Sequence, residues 1–210
     1  MARRTVDTDS RSLTLIERKQ HAARTRIIEA ADDLFFERGF AAVSVTDIAE
    51  RAEVGRTTFF RHFGDKTEVV FAKEQAMFDA IAVAASETWA VDQAVDTLHD
   101  ALVALEPLVM RLCAQATVDL PAYRRHVLLV AAHDELRARE ALKRRDIAMQ
   151  LATVLTEHGA STETATVAAQ MAVACYSSGR QLAPDPADLV ARTGDAFRRV
   201  LAINLVPSPS

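Results

Sequence analysis

Residues Ser44–Lys66 read SVTDIAERAEVGRTTFFRHFGDK, two short helical patterns on either side of Val54 and Gly55, closing in a knot of aromatic and basic side chains. Ser44 and Asp47 stand three apart ahead of an apolar pair, the spacing of a capping box with Asp in the place of Glu or Gln. A helix therefore starts there and runs through Ile48, Ala49 and Ala52 to about Glu53. A second helix spans about Arg56 to His62; Gly64 breaks it, and Asp65 with Glu68 opens another. Helices of about seven residues are marginal in water, so these two persist only by packing on longer neighbours. Spacing turns Ile48, Ala49, Ala52, Val54, Phe59 and Phe63 inward and leaves Arg56, Thr57, Thr58, Arg61 and His62 outside.

The flanks supply the neighbours. Upstream, Ile27, Ala31, Leu34 and Phe35 recur at helical spacing, giving a first helix that ends near Arg38 with Gly39 as its C-terminal cap. Residues 1–16 lack periodicity and read as a flexible basic arm. Downstream, a fourth helix runs from Lys66 through Val69, Val70, Phe71, Met77, Phe78 and Ile81 to about Ser86. Further helical patterns follow at about 91–105, 108–118, 122–132, 134–158, 162–182 and 186–205, punctuated by Pro107, Pro121, Gly159, Pro184 and Pro186, before a loose VPSPS tail. Only six glycines and six prolines occur in 210 residues, half of them apolar, which favours helices over a turn-rich sheet. The expected fold is all-α: a helix-turn-helix domain over 17–65, a connecting helix over 66–86 and a larger helical domain over 87–205.

Charge is placed unevenly. The net charge is −4, yet Met1–Arg26 holds seven basic residues against three acidic ones, and Val54–Lys66 three against one. Phosphate binding depends on where charges sit, so the overall acidity does not exclude a nucleic-acid partner. Cys113 and Cys175 have neither the spacing of a metal clip nor the number of a disulfide framework, which fits a reducing cytoplasm. The polar N-terminus is unlike a signal peptide, and no apolar run approaches the roughly 18 residues of a membrane span.

Two short helices joined by a tight turn form a helix-turn-helix, whose second helix lays its first residues in the DNA major groove. Arg56 suits a bidentate bond to guanine, and Thr57 a base edge or a thymine methyl, with Thr58 and Arg61 beside them. Ser44, at the cap of helix two, and Lys66, beside the start of helix four, are expected to meet phosphates, and Thr46 to reach a backbone or groove edge. Phe60 reads as a core residue first and a contact second.

The same run resembles the DNA-binding segment of the TetR family of one-component regulators. Ile48, Ala49, Ala52, Val54, Thr58, Phe63 and Lys66 match the family pattern, and RTRIIEAADDLFFERGF upstream is similar to its first helix. Three positions depart from it. Glu53 stands where the family usually has glycine, so a left-handed backbone there would cost about 1 kcal/mol. Gly55 replaces a Ser or Thr cap, a loss of a few tenths of a kcal/mol (~0.3). Phe60 replaces a tyrosine and lacks its phosphate-contacting hydroxyl, so either affinity there is lower or the contact falls to His62.

The resemblance implies a ligand-binding and dimerising domain from about residue 80 onward. The residues allow it: Ala165, Ala168, Ala169, Ala172 and Val173 form a small-residue stripe, and Leu189, Thr193, Phe197 and Val200 face it from the last helix, so two such helices per chain can build a four-helix interface. Pocket candidates are Met77, Trp89, His99, Met110 and Cys113, with Tyr123, His126, Met149, Met171 and Tyr176. His99, Cys113, His126 and His133 show no ligand-pair spacing, so no metal is expected, and no cofactor. The expected function is a cytoplasmic repressor that binds a palindromic double-stranded DNA operator as a homodimer and is released by a small-molecule effector, with no membrane partner. A helical protein-binding adaptor or an enzyme are the alternatives; against the enzyme, the chain has no Gly-rich phosphate loop, nucleophile elbow or recognisable carboxylate or Cys-His arrangement.

Overall fold

A computed structural model describes residues 14–73, 75–76 and 95–203. The described residues are helical, without strands, and divide into two compact units, Met1–Val70 and Phe71–Ser210.

The first unit begins with α1 (Leu15–Arg38). It starts before the expected boundary because Thr14 and Glu17 close a capping box: the Glu17 N–H donates to Thr14 Oγ1 at 3.2 Å and the Thr14 N–H to Glu17 Oε2 at 2.7 Å. Residues 14–16, assigned above to the flexible arm, are therefore the cap and first turn of this helix. Gly39 ends it at φ 80°, its N–H donating to Phe35 O at 3.0 Å. A 3₁₀ turn (Phe40–Ala42) leads to α2 (Val45–Arg51), α3 (Arg56–His62) and α4 (Lys66–Val70), the last opened by Asp65, whose Oδ1 accepts the Thr67 and Glu68 N–H groups at 2.8 and 3.0 Å. Most of the expected continuation of helix four to Ser86 lies outside the described residues. Ile27, Ala31, Leu34, Phe40, Ile48 and Phe59 are buried to about 1% exposure or less and form the core that holds the two short helices. Phe35 and Phe40 meet at 5.1 Å between ring centroids.

The second unit comprises α5 (Leu98–Ala116), α6 (Leu120–Ala132), α7 (Asp134–Glu157), α8 (Thr162–Leu182) and α9 (Leu189–Leu201). The expected break at Pro107 is absent: α5 runs through it. Proline there removes the bond that its N–H would give to the carbonyl four residues back, at Val103, and both residues are solvent-exposed. Pro121 sits in the first turn of α6, where its missing N–H costs nothing, and Asp119 caps that helix by accepting the Ala122 N–H at 3.0 Å. Helix α8 is central, packed against α5, α7 and α9.

This arrangement corrects the expected dimer surface. Ala165, Ala168, Ala169, Ala172, Leu189, Thr193 and Phe197 are buried inside the chain, and Val173 and Val200 pack half-buried against the same core. Small residues do let helices approach closely here, but the helices belong to one chain. At the α8–α9 crossing a Cβ on Gly179 would lie 2.7 Å from Thr193 Cα, so only glycine fits.

Candidate nucleic-acid interface

Local hydrogen bonding sets the start and the end of α2. Ser44 Oγ accepts the Asp47 N–H at 3.1 Å while the Ser44 N–H donates to Asp47 Oδ2 at 2.8 Å. Bonds from the Ser44 hydroxyl and N–H, with help from Arg38, hold the Asp47 carboxyl below the usual carboxylate range. At the other end, the Val54 N–H donates to Ala49 O at 2.9 Å and the Glu53 N–H to Glu50 O at 3.1 Å, the paired bonds of a Schellman motif. That geometry puts Glu53 at φ 53°, in the left-handed region. Two glutamate–arginine contacts brace the helices from outside: Arg51 grips Glu37 at 2.8 and 3.2 Å, and Glu53 lies 4.0 Å from Arg26.

Gly55 caps α3 in an extended conformation without a side-chain bond, its carbonyl accepting the Thr58 and Phe59 N–H groups at 2.8 and 3.1 Å. Phe59 and Phe63 are buried and anchor the helix from behind. Arg56 with Phe60, and Thr57 with Arg61, stand one turn apart on the solvent side, and all four are exposed; Thr58 and His62 flank them half-buried. Phe60 is thus no core residue: it is 47% exposed, touching Phe59 edge-on at 5.5 Å between centroids. Ser44 and Thr46 are exposed at the start of α2.

Lys66 departs from its expected place. Its ammonium turns inward, donating to Phe40 O at 2.9 Å and Val43 O at 3.2 Å and lying 4.2 Å from the Phe40 ring centroid. Two of its three donors tie α4 to the turn before α2, so it acts as a strut rather than as the phosphate contact expected above. His62 is also less open than expected. Its Nε2 is covered and has no hydrogen-bond partner among the described residues, and burial first, then the charges of Arg61 and Arg24, lower its pKa from 6.5.

Sorting the cations of this unit by partner separates two populations. Arg26, Arg38 and Arg51 each face a carboxylate and Lys66 two carbonyls. Arg18, Lys19, Arg24, Arg56 and Arg61 carry no ion pair among the described residues; Arg24 instead lies 4.9 Å from the Phe63 ring centroid. Sequence reasoning missed Arg24 because its partner is 39 positions away and no local pattern links them.

In the second unit the pocket candidates scatter. Met77 and Trp89 lie outside the described residues. His99 and Met149 are exposed and so do not line an interior cavity. Cys113 and Tyr123 are in the packed core, where Cys113 Sγ sits 3.7 Å from Thr193 Oγ1, and burial pushes the Cys113 thiol up in pKa. His126 meets the Phe71 ring edge-on at 5.6 Å; Met110, Met171 and Tyr176 are half-buried.

A short helix anchored by two phenylalanines, reached by a tight turn from a capped partner helix, defines the first unit as a helix-turn-helix domain. Residues 27–72 match the family model described as bacterial regulatory proteins, tetR family. It is 54% identical over 46 residues to the HTH-type transcriptional repressor Rv3405c of Mycobacterium tuberculosis, a match covering 22% of this chain and 24% of that protein. It is 32% identical over 113 residues to the probable HTH-type transcriptional regulator ArpR of Pseudomonas putida, covering 53% of this chain and 51% of ArpR. The matches thus span about half or less of these relatives' lengths. Across both units the fold resembles Thermus thermophilus FadR, a transcriptional repressor solved with lauroyl-CoA, at a TM-score of 0.57 and 22% identity, covering 89% of this chain and 99% of FadR.

Proposed function

We propose that the chain is a sequence-specific DNA-binding repressor that engages a palindromic operator as a homodimer and releases it when a small molecule binds the second unit. The observation that carries this reading is the solvent face of α3, where Arg56 and Arg61 stand exposed beside Thr57 without carboxylate partners among the described residues, on a helix whose other face is filled by Phe59 and Phe63. Unpaired guanidiniums on a rigid short helix suit guanine edges and phosphates. Kinship with the repressor Rv3405c in this segment supports repression, and the fold shared with FadR supports an effector role for the larger unit.

A twofold partner suits paired half-sites about 34 Å apart. With the first small-residue stripe of α8 used in the intrachain core, the ridge left for a second copy is Thr166, Gln170, Ala174 and Ser178, four exposed residues at a spacing of four. Titrating the purified protein against DNA upstream of its own gene at two salt concentrations tests the reading: selective, salt-sensitive binding is expected, and equal affinity for this DNA and for random duplex would overturn it.

A further inference from the structure

Resting on the reading of the first unit as a duplex-DNA binder, we propose that Arg24 and Arg61 form a backbone-phosphate clasp at the end of α3, so that α1 holds the duplex together with the recognition helix. Arg24 comes from α1 and lies over the ring of Phe63, the residue that caps α3; Phe63 is buried, so the guanidinium is fixed beside the helix end. His62 is the last residue of α3, its ring centroid 6.4 Å from that of Phe63, and Arg61 precedes it, exposed. Both arginines are near enough that their charges disfavour a protonated imidazole. Two guanidiniums therefore flank one helix end, and neither has an ion pair among the described residues, whereas Arg26, Arg38 and Arg51 each face a carboxylate. Such an arrangement is self-repelling until an anion enters. Neighbouring backbone phosphates, one on each guanidinium fork, relieve the repulsion with charge-assisted hydrogen bonds.

The competing account is that Arg24 merely covers the Phe63 ring as a stacked cation. The salt dependence of DNA binding separates the two, because a phosphate contact releases counterions and a stacking contact does not. A mixed-sequence duplex is the appropriate probe, since non-specific affinity is essentially electrostatic and no operator is needed. Fluorescence anisotropy across a salt series should show that Arg24→Gln and Arg61→Gln each flatten the slope of log K against log salt by about 0.9, and that Arg24→Lys restores it. An unchanged slope in Arg24→Gln overturns the clasp. Should that variant melt early, Arg24→Met, which keeps an apolar stem against Phe63, carries the same test. If the wild-type protein itself shows no salt-dependent binding to the duplex, the DNA reading fails and the clasp with it; wild-type binding with an unaltered Arg24→Gln slope sinks the clasp alone.

Discussion

The ammonium of Lys66 donates to the carbonyl of Phe40 at 2.9 Å, across 26 residues of sequence, and to Val43 O at 3.2 Å. It fastens the start of α4 to the turn that delivers the chain into α2, with the Phe40 ring beneath the charge at 4.2 Å. Lys66→Met keeps the stem and deletes the donors, leaving the Val43 carbonyl without its ammonium. The expected loss is about 1 to 3 kcal/mol of stability, measured by urea unfolding. The slope of log K against log salt for duplex DNA should stay at the wild-type value, because a residue spent on carbonyls releases no counterions. A slope reduced by about 0.9 would return Lys66 to the phosphate-contacting set.

Arg56 has the opposite signature. It opens α3, is exposed, and touches no carboxylate among the described residues, so removing its side chain has little consequence for the fold. Arg56→Ala should cost about 1 to 3 kcal/mol on the operator and relax preference at one base position, with a smaller loss on random duplex. Selection from a randomised duplex library, followed by affinity measurement on both DNAs, checks this. Equal losses on the two would place Arg56 on the backbone instead.

Glu53 occupies the left-handed position of the Schellman motif that ends α2, at φ 53°. Its carboxylate lies 4.0 Å from Arg26 but is mostly in solvent, so that contact adds little. Glycine adopts this backbone without steric penalty, and Glu53→Gly should stabilise the unit by about 1 kcal/mol, raising the urea midpoint without changing the m-value. Unchanged or lower stability would mean that the Arg26 contact outweighs the backbone strain.

The start and stop of α2 were legible in the sequence because their determinants are local: a cap three residues before an acid, apolar positions spaced for one face, and a helix stop near Glu53. Thr14 and Glu17 had the same local spacing and could have been read the same way. Other features were not legible for physical reasons. Periodicity in α8 reveals that Ala165, Ala168, Ala169 and Ala172 share a face, but not whether the helix covering that face belongs to the same chain. Pro107 looks like a breaker in any window, yet an exposed helix survives one missing bond when water serves the freed carbonyl. Lys66 and Arg24 answer to groups tens of residues away, which no local charge count locates.

His62 links the first unit to pH. Burial, then the neighbouring charges of Arg61 and Arg24, lower its pKa in the folded chain, while the unfolded imidazole keeps its ordinary value of 6.5. The unfolded chain therefore binds the proton more readily, so the stability that neutral His62 confers is fully present above 6.5 and is lost as pH falls below it. His62→Gln cannot take up that proton. Melting both proteins from about pH 8 to about pH 5 should show the wild type losing thermal midpoint faster than the variant below the imidazole range. Parallel curves would mean that the imidazole titrates alike in both states.

The surface proposed for a second copy is open to a direct chemical test. Cys113 and Cys175 are the two cysteines of the chain, and both are buried with thiol pKa values raised by that burial, so neither competes with an introduced surface thiol. Ala174 is exposed on the outer ridge of α8, between Gln170 and Ser178, and near the middle of the helix. In a twofold interface where α8 crosses its own copy, equivalent residues near the crossing come face to face. Ala174→Cys should then form an intermolecular disulfide under mild oxidation, giving a reducible band of twice the chain mass on denaturing gels. Ala174→Arg should weaken the same contact and shift sedimentation towards the monomer. Sedimentation of Ala174→Arg unchanged from a dimeric wild type, with no cross-link in Ala174→Cys, would move the interface off this ridge.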